Sequence, residues 1–209
     1  MPDNRHAYSA AVKTLLDLFG QLPGIGSRSA ERIVFHILKG SREDAAKLAD
    51  AIVAVKDQVR HCSICYHLTE NDPCDICANP RRDHGIICVV EQPKDVYQIE
   101  TSGAYTGVYH VLLGRLAPLD GIGAEALTID ALENRVNQRG SDGKPAVREV
   151  ILATNPTMDG DATALLIQER LSPSGVTITR LARGLPPGAQ IEHSNRAILH
   201  DALTGRVKM

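Results

Sequence analysis

Cys62, Cys65, Cys74 and Cys77 form two Cys-x-x-Cys pairs with eight residues between them, and nothing else in the 209-residue chain restricts its folding so tightly. Each pair offers two sulfurs from one turn. Four thiolates at this spacing fill the tetrahedral shell of a zinc ion and leave no position open for a catalytic water. The connector contains Asn71-Asp72-Pro73, a turn signal that brings the second pair across from the first. A segment this short cannot bury a sizeable core, so a metal takes over as its organiser. The competing readings are two redox pairs or two merely buried ones, and His61 and His67 compete as ligands. The cysteine count is five, and the opening Met1-Pro2-Asp3-Asn4-Arg5 has no apolar signal core, so neither a disulfide scaffold nor a secreted fate is expected. Cys88 lies within Ile86-Ile87-Cys88-Val89-Val90 and reads as a small core residue.

On either side of the cysteines the hydrophobic pattern differs. Before them, apolar residues recur at helical spacing over 8–19 and 27–38, and Ser41 is placed to cap a third helix running to about Gln58. After them, short apolar runs alternate with helical stretches. Strands are expected at 86–90, 108–113, 149–153 and 176–181, and helices at 95–101, 125–137, 161–171 and 194–203. This alternation predicts a multidomain α/β protein with a mostly parallel sheet covered by helices. Residues 140–145 read as a polar surface loop. No run approaches the 18 apolar residues of an ordinary membrane helix.

Between the first two helices lies Leu22-Pro23-Gly24-Ile25-Gly26. Two glycines around one apolar residue permit a sharp turn with Ile25 facing inward. The free amides that open the next helix can face a phosphate, with Arg28 and Arg32 on the same surface. Lys39 and Arg42 add to the local basic balance. Residues 1–60 hold nine Lys or Arg and seven Asp or Glu, a charge of +2, against −2 for the whole chain. Such a balance supports a local phosphate grip, weak in one copy and strong in several, rather than a surface that coats nucleic acid. Five Tyr, two Phe and no Trp also argue against an extended base-stacking platform. The bland alternative is a helix–turn–helix packing element. Gly121-Ile122-Gly123 partly echoes the hairpin, but Asp120 and Glu125 flank it, so it reads as a structural turn.

The carboxylates form a second constellation. Glu91 falls at the end of one strand, and Asp159 and Asp161 lie between another strand and a helix. Acids on neighbouring strand exits can converge on Mg²⁺, and Gly160 allows a close turn between the two Asp residues. The alternative is solvated helix-cap acids, with Asp161 capping its own helix. A nicking enzyme would also need a nucleophile. Tyr97, Tyr105 and Tyr109 are available, but no spacing singles one out.

Taken in order, LPGIG, the four-cysteine segment, the strand ending in Glu91, LDGIG, ATNPTMDGDATA and ARGLP closely resemble the RecR family of bacterial recombination mediators over nearly the whole chain. The resemblance implies a helix-hairpin-helix region (1–60), a zinc finger (61–80), a Toprim domain (81–175) and a C-terminal oligomerisation segment (176–209). It implies a ring-shaped homotetramer on single- and double-stranded DNA, cytoplasmic and associated with the nucleoid. Such a ring would act with RecO, and in many bacteria RecF, to load RecA onto strands covered by single-strand-binding protein. By match to the motifs, Arg28, Arg32, Gly24, Gly26 and Lys39 are the DNA-binding candidates. Glu91, Asp159 and Asp161 match the Toprim acids, a possible Mg²⁺ or partner site. The family often carries Glu where this chain has the two Asp. It is not known for topoisomerase activity, so no enzyme is expected. The alternatives are a Mg²⁺-dependent Toprim nuclease or topoisomerase, and a scaffold that binds only proteins.

Overall fold

The computed structural model describes residues 8–140, 143 and 145–207, in two compact units that divide after Val59. Half of the 140–145 loop read from the sequence, residues 141, 142 and 144, lies outside the described residues.

The first unit is helical: α1 (Ala10–Gly20), α2 (Ser27–Lys39) and α3 (Arg42–Gln58). Ala30 and Val34, one helical turn apart, supply its buried side chains. Ser41 caps α3 as expected, its hydroxyl accepting from the Asp44 amide at 3.1 Å. Leu48, Ile52 and Val55, on one side of α3, are all exposed.

The second unit begins with the cysteine segment: β1 (Arg60–His61), β2 (Leu68–Thr69) and a single helical turn, α4 (Asp75–Ala78). An α/β body follows, made of β3 (Asp83–Val90), α5 (Pro93–Ser102), β4 (Gly107–Val111), α6 (Ile129–Val136), β5 (Glu149–Leu152), α7 (Met158–Leu171), β6 (Thr177–Arg180) and α8 (Arg196–Thr204). The four strands of its sheet are all parallel, in the order β4-β3-β5-β6. β3 is central and buried on both faces, which accounts for its unbroken apolar run. Successive residues serve opposite cores. Ile87 and Val89 pack with Leu132, Val150 and Ile167, whereas Cys88 and Val90 pack with Val96, Tyr109 and Val111.

Several helix starts differ from the sequence reading, among them α1 at Ala10 rather than residue 8 and α8 at Arg196 rather than 194. α5 begins at Pro93 rather than Asp95, because proline suits the first helical position and Gln92 with Asp95 forms a capping box. The helix expected from Glu125 begins only at Ile129. Residues 124–126 make a separate 3₁₀ turn, while Ile129, Leu132 and Val136 form the buried stripe. α7 begins at Met158, three residues before the expected Asp161, and its cap is Thr157, whose hydroxyl accepts from the Gly160 amide at 3.1 Å. Asp159 and Asp161 therefore lie in the first turn of α7, and Asp161 caps nothing. Among the described residues no helix is long and apolar enough to cross a membrane.

Candidate nucleic-acid interface and metal centre

The hairpin turn follows from its sequence. Pro23 and Gly24 occupy the central positions, Gly24 has φ +78°, and the Ile25 amide donates to the Leu22 carbonyl at 3.1 Å. Proline followed by a residue with positive φ is the signature of a type II turn. Ile25 is half-buried, and extended Gly26 caps α2, its carbonyl accepting from the Ala30 amide at 2.9 Å. With Ala30 and Val34 facing inward, Arg28, Arg32 and Lys39 are left exposed. Among the described residues none of the three has an ion-pair partner. A groove of about 840 Å³ runs beside the turn, with Ile25, Ser27 and Arg28 in its lining together with the acids Asp17 and Glu31.

The four cysteines converge. Their sulfurs all lie within 4.8 Å of one another, and Cys65 Sγ to Cys74 Sγ is 3.5 Å. Zn–S bonds near 2.3 Å place tetrahedral sulfurs about 3.8 Å apart, so the donor set fits zinc. The Cys74 amide donates to Cys62 Sγ at 3.3 Å, and Asp72 Oδ1 accepts from the Ser63 amide at 2.8 Å, joining one turn to the other. The Cys65 thiol pushes the Cys74 pKa well down while Cys65 itself is pushed up, so the crowded cluster places its first negative charge on Cys74. His61 is directed elsewhere, its Nδ1 lying 3.0 Å from the Tyr66 carbonyl. Neither histidine joins the cluster.

The carboxylates do not converge in this way. Among the described residues the cysteines are the sole group of three or more potential donors brought so close together. Glu91 is 2% exposed and accepts from the Asn155 amide and from Asn155 Nδ2, both at 2.7 Å. Asp159 pairs with Arg115 Nε at 3.3 Å. Asp161 pairs with Arg183 and with Arg180, whose guanidiniums hold its carboxyl below the usual carboxylate range. Gly160 sits inside the helix because a Cβ there would lie 2.1 Å from the Asn155 carbonyl oxygen and 2.9 Å from Glu91 Oε1. Close approach, rather than a turn between two Asp residues, is its reason. Arg115 and Arg180 stand outside the sequence motifs, and Asn155 stands in ATNPTMDGDATA with no role assigned to it. Arg183 stands in the ARGLP motif, but nothing there announced its partner.

Two of the tyrosines are also committed. Tyr105 precedes β4, at the amino end of the sheet, whereas Glu91 follows β3 at the carboxyl end. The Tyr105 hydroxyl is bound at 3.0 Å to the Ile86 carbonyl and at 2.8 Å to that of Val108. The Tyr109 hydroxyl donates to Glu100 Oε1 at 2.5 Å, and burial followed by that bond raises its pKa. Neither serves as an activated nucleophile beside the acids.

Comparison with known proteins is consistent across the chain. Residues 12–56 match the family described as RecR, helix-hairpin-helix, residues 59–79 match the RecR four-cysteine zinc finger domain, and residues 85–182 match the Toprim domain. A protein of Rhodopirellula baltica named Recombination protein RecR is 48% identical over 202 residues, covering 97% of this chain and 98% of the relative. Proteins of the same name from Magnetococcus marinus and Roseiflexus castenholzii are 46% and 45% identical, covering 95% and 100% of this chain and 98% of each relative. The chain belongs to the RecR family. RecR proteins are mediators without catalytic activity. The zinc finger match and the sulfur geometry together make Cys62, Cys65, Cys74 and Cys77 a structural zinc site.

Proposed function

We propose that the protein is a DNA-binding recombination mediator that acts with RecO and RecF to load RecA onto single-stranded DNA at gaps, displacing single-strand-binding protein. The observation that carries this reading is the pair Arg28 and Arg32, exposed, four residues apart and, among the described residues, free of ion pairs beside the amides of the hairpin. Many arginines of the α/β unit stand in contrast. Arg82, Arg115, Arg148, Arg170, Arg180 and Arg183 are all spent on acids. Gly24 and Gly26 shape the phosphate-facing turn and Lys39 extends its charge. A grip made on phosphates carries no sequence information, and both single- and double-stranded DNA are proposed ligands.

One hairpin with two or three phosphate contacts binds weakly, and several copies acting together bind well. A homotetrameric ring supplies four. A closed ring needs two interfaces per chain, and each unit exposes large apolar side chains. Leu48, Ile52 and Val55 lie in the first, and Leu181, Ile191 and Leu203 lie in the second. The C-terminal segment is the proposed second interface, and the half-exposed Asp159 and Asp161 are the proposed edge for RecO. Work on chromosomal gaps places the protein in the cytoplasm with the nucleoid.

The test is DNA binding by a protein carrying both Arg28→Ala and Arg32→Ala, measured across a range of salt. Each lost phosphate contact flattens the log affinity against log salt slope by about 0.9 on duplex DNA. Eight contacts over four copies would remove about 7. Unchanged affinity and slope in a folded variant would reject the hairpin assignment.

A further inference from the structure

In an open parallel sheet the ligand crevice lies beyond the carboxyl ends of the strands, where the connections depart in opposite directions. Here that place is between β3 and β5, and the two Asn155 contacts to Glu91 close it. The remaining contacts have a pattern. Arg115 follows β4, Glu91 follows β3, Asn155 follows β5, and Arg180 ends β6 with Arg183 just beyond it. Asp159 holds Arg115, Asp161 holds Arg180 and Arg183, and Gly160 between them packs against Glu91 and Asn155. The first turn of α7 thus gathers the exits of all four strands. The Leu116 amide adds a further tie, donating to Thr163 Oγ1 at 2.9 Å.

Three guanidiniums offset the three carboxylates in number, but they pair only with Asp159 and Asp161, while both oxygens of Glu91 accept from Asn155. A divalent cation is drawn to such a place by uncompensated negative charge, which must offset the loss of its water shell. The geometry points to a metal-free clasp. Arg115, Arg180 and Arg183 take up Asp159 and Asp161, Asn155 takes up Glu91, and with all three acids so engaged these contacts secure the strand exits and the chain leaving β6. Asp159 and Asp161 are then positioning residues. Each remains about 40% exposed, so the clasp is compatible with a partner reading its outer edge. The inference stands apart from the hairpin reading and would survive its failure.

Two measurements on the full-length, zinc-loaded protein test it. The first is titration with Mn²⁺, followed by electron paramagnetic resonance. No saturable uptake is expected up to millimolar ion, and one ion bound per chain that is lost in Asp159→Asn would overturn the clasp. The second uses trypsin, which must grip an arginine side chain to cut beside it. Asp161→Asn frees Arg180 and Arg183, so cleavage of the Arg180–Leu181 and Arg183–Gly184 bonds should accelerate severalfold, with zinc content and cleavage after Arg32 unchanged. Equal cleavage rates at those two bonds in variant and parent would also overturn it.

Discussion

The Cys65 carbonyl accepts a hydrogen bond from the Val111 amide at 2.8 Å, so a residue that supplies a zinc ligand also caps the side of β4, the edge strand of the sheet, that faces no other strand. Beside this bond Tyr66, with φ +62°, sets its ring against His110, the centroids 5.5 Å apart. An open edge strand leaves amides unpaired and invites association, and the cysteine segment covers this one. Zinc thereby stabilises the α/β unit as well as its own loop. Replacing Cys74 with Ser should remove stoichiometric zinc, lower the melting temperature and speed hydrogen exchange at Val111. Equal zinc content and melting in variant and parent would count against the assignment.

The hairpin has its own test, at Gly24. Its φ of +78° is a conformation that side chains rarely adopt, and no atom lies within 4 Å of where a Cβ would be. Strain, without a clash, is therefore the whole effect. Gly24→Ala should destabilise by about 1 to 2 kcal/mol. Chemical denaturation will measure it, and DNA affinity should fall as the amides that open α2 lose their alignment.

Much of this was legible beforehand for identifiable reasons. Four thiolates at fixed spacing have few alternatives, and a strand buried on both faces, such as β3, announces itself by an unbroken apolar run. Arg28 and Arg32 stand out because four residues is about one turn of helix. Helix starts were harder. Pro93 and Met158 open helices whose caps, Gln92 and Thr157, depend on side-chain geometry that hydrophobic period does not encode. The acid constellation was visible as a set of carboxylates. Their partners were not, because Arg115 lies 44 residues from Asp159 and Arg183 lies 22 from Asp161. Only the parallel pairing of β3, β4, β5 and β6 brings those exits to one end of the sheet.

Gly160 tests how tightly those exits are packed. Gly160→Ala puts a methyl group against the Asn155 backbone, which cannot yield as a flexible side chain would. Overpacking of this kind costs about 1 to 3 kcal/mol. The same alanine in an unhindered helix would be stabilising, so the sign of the change is diagnostic. A lower melting temperature is expected, together with faster exchange at the Asn155 amide as its bond to Glu91 loosens.

His110 gives the fold a pH dependence of predictable sign. It is fully buried, Nε2 lies 3.0 Å from both the carbonyl and the hydroxyl oxygen of Thr128, and burial lowers its pKa to about 4. An unfolded histidine titrates near 6.5. Between these values the unfolded chain holds a proton that the folded chain lacks, so stability is fully present above about pH 6.5 and declines as pH falls towards about 4. One proton contributes at most about 1.4 kcal/mol per pH unit across that window. His110→Gln keeps a polar group for Thr128 and cannot titrate. Its stability, measured by denaturant at a series of pH values, should fall less steeply than the parent's by up to that amount. Parallel curves for the two proteins would mean that His110 takes up its proton without leaving the core.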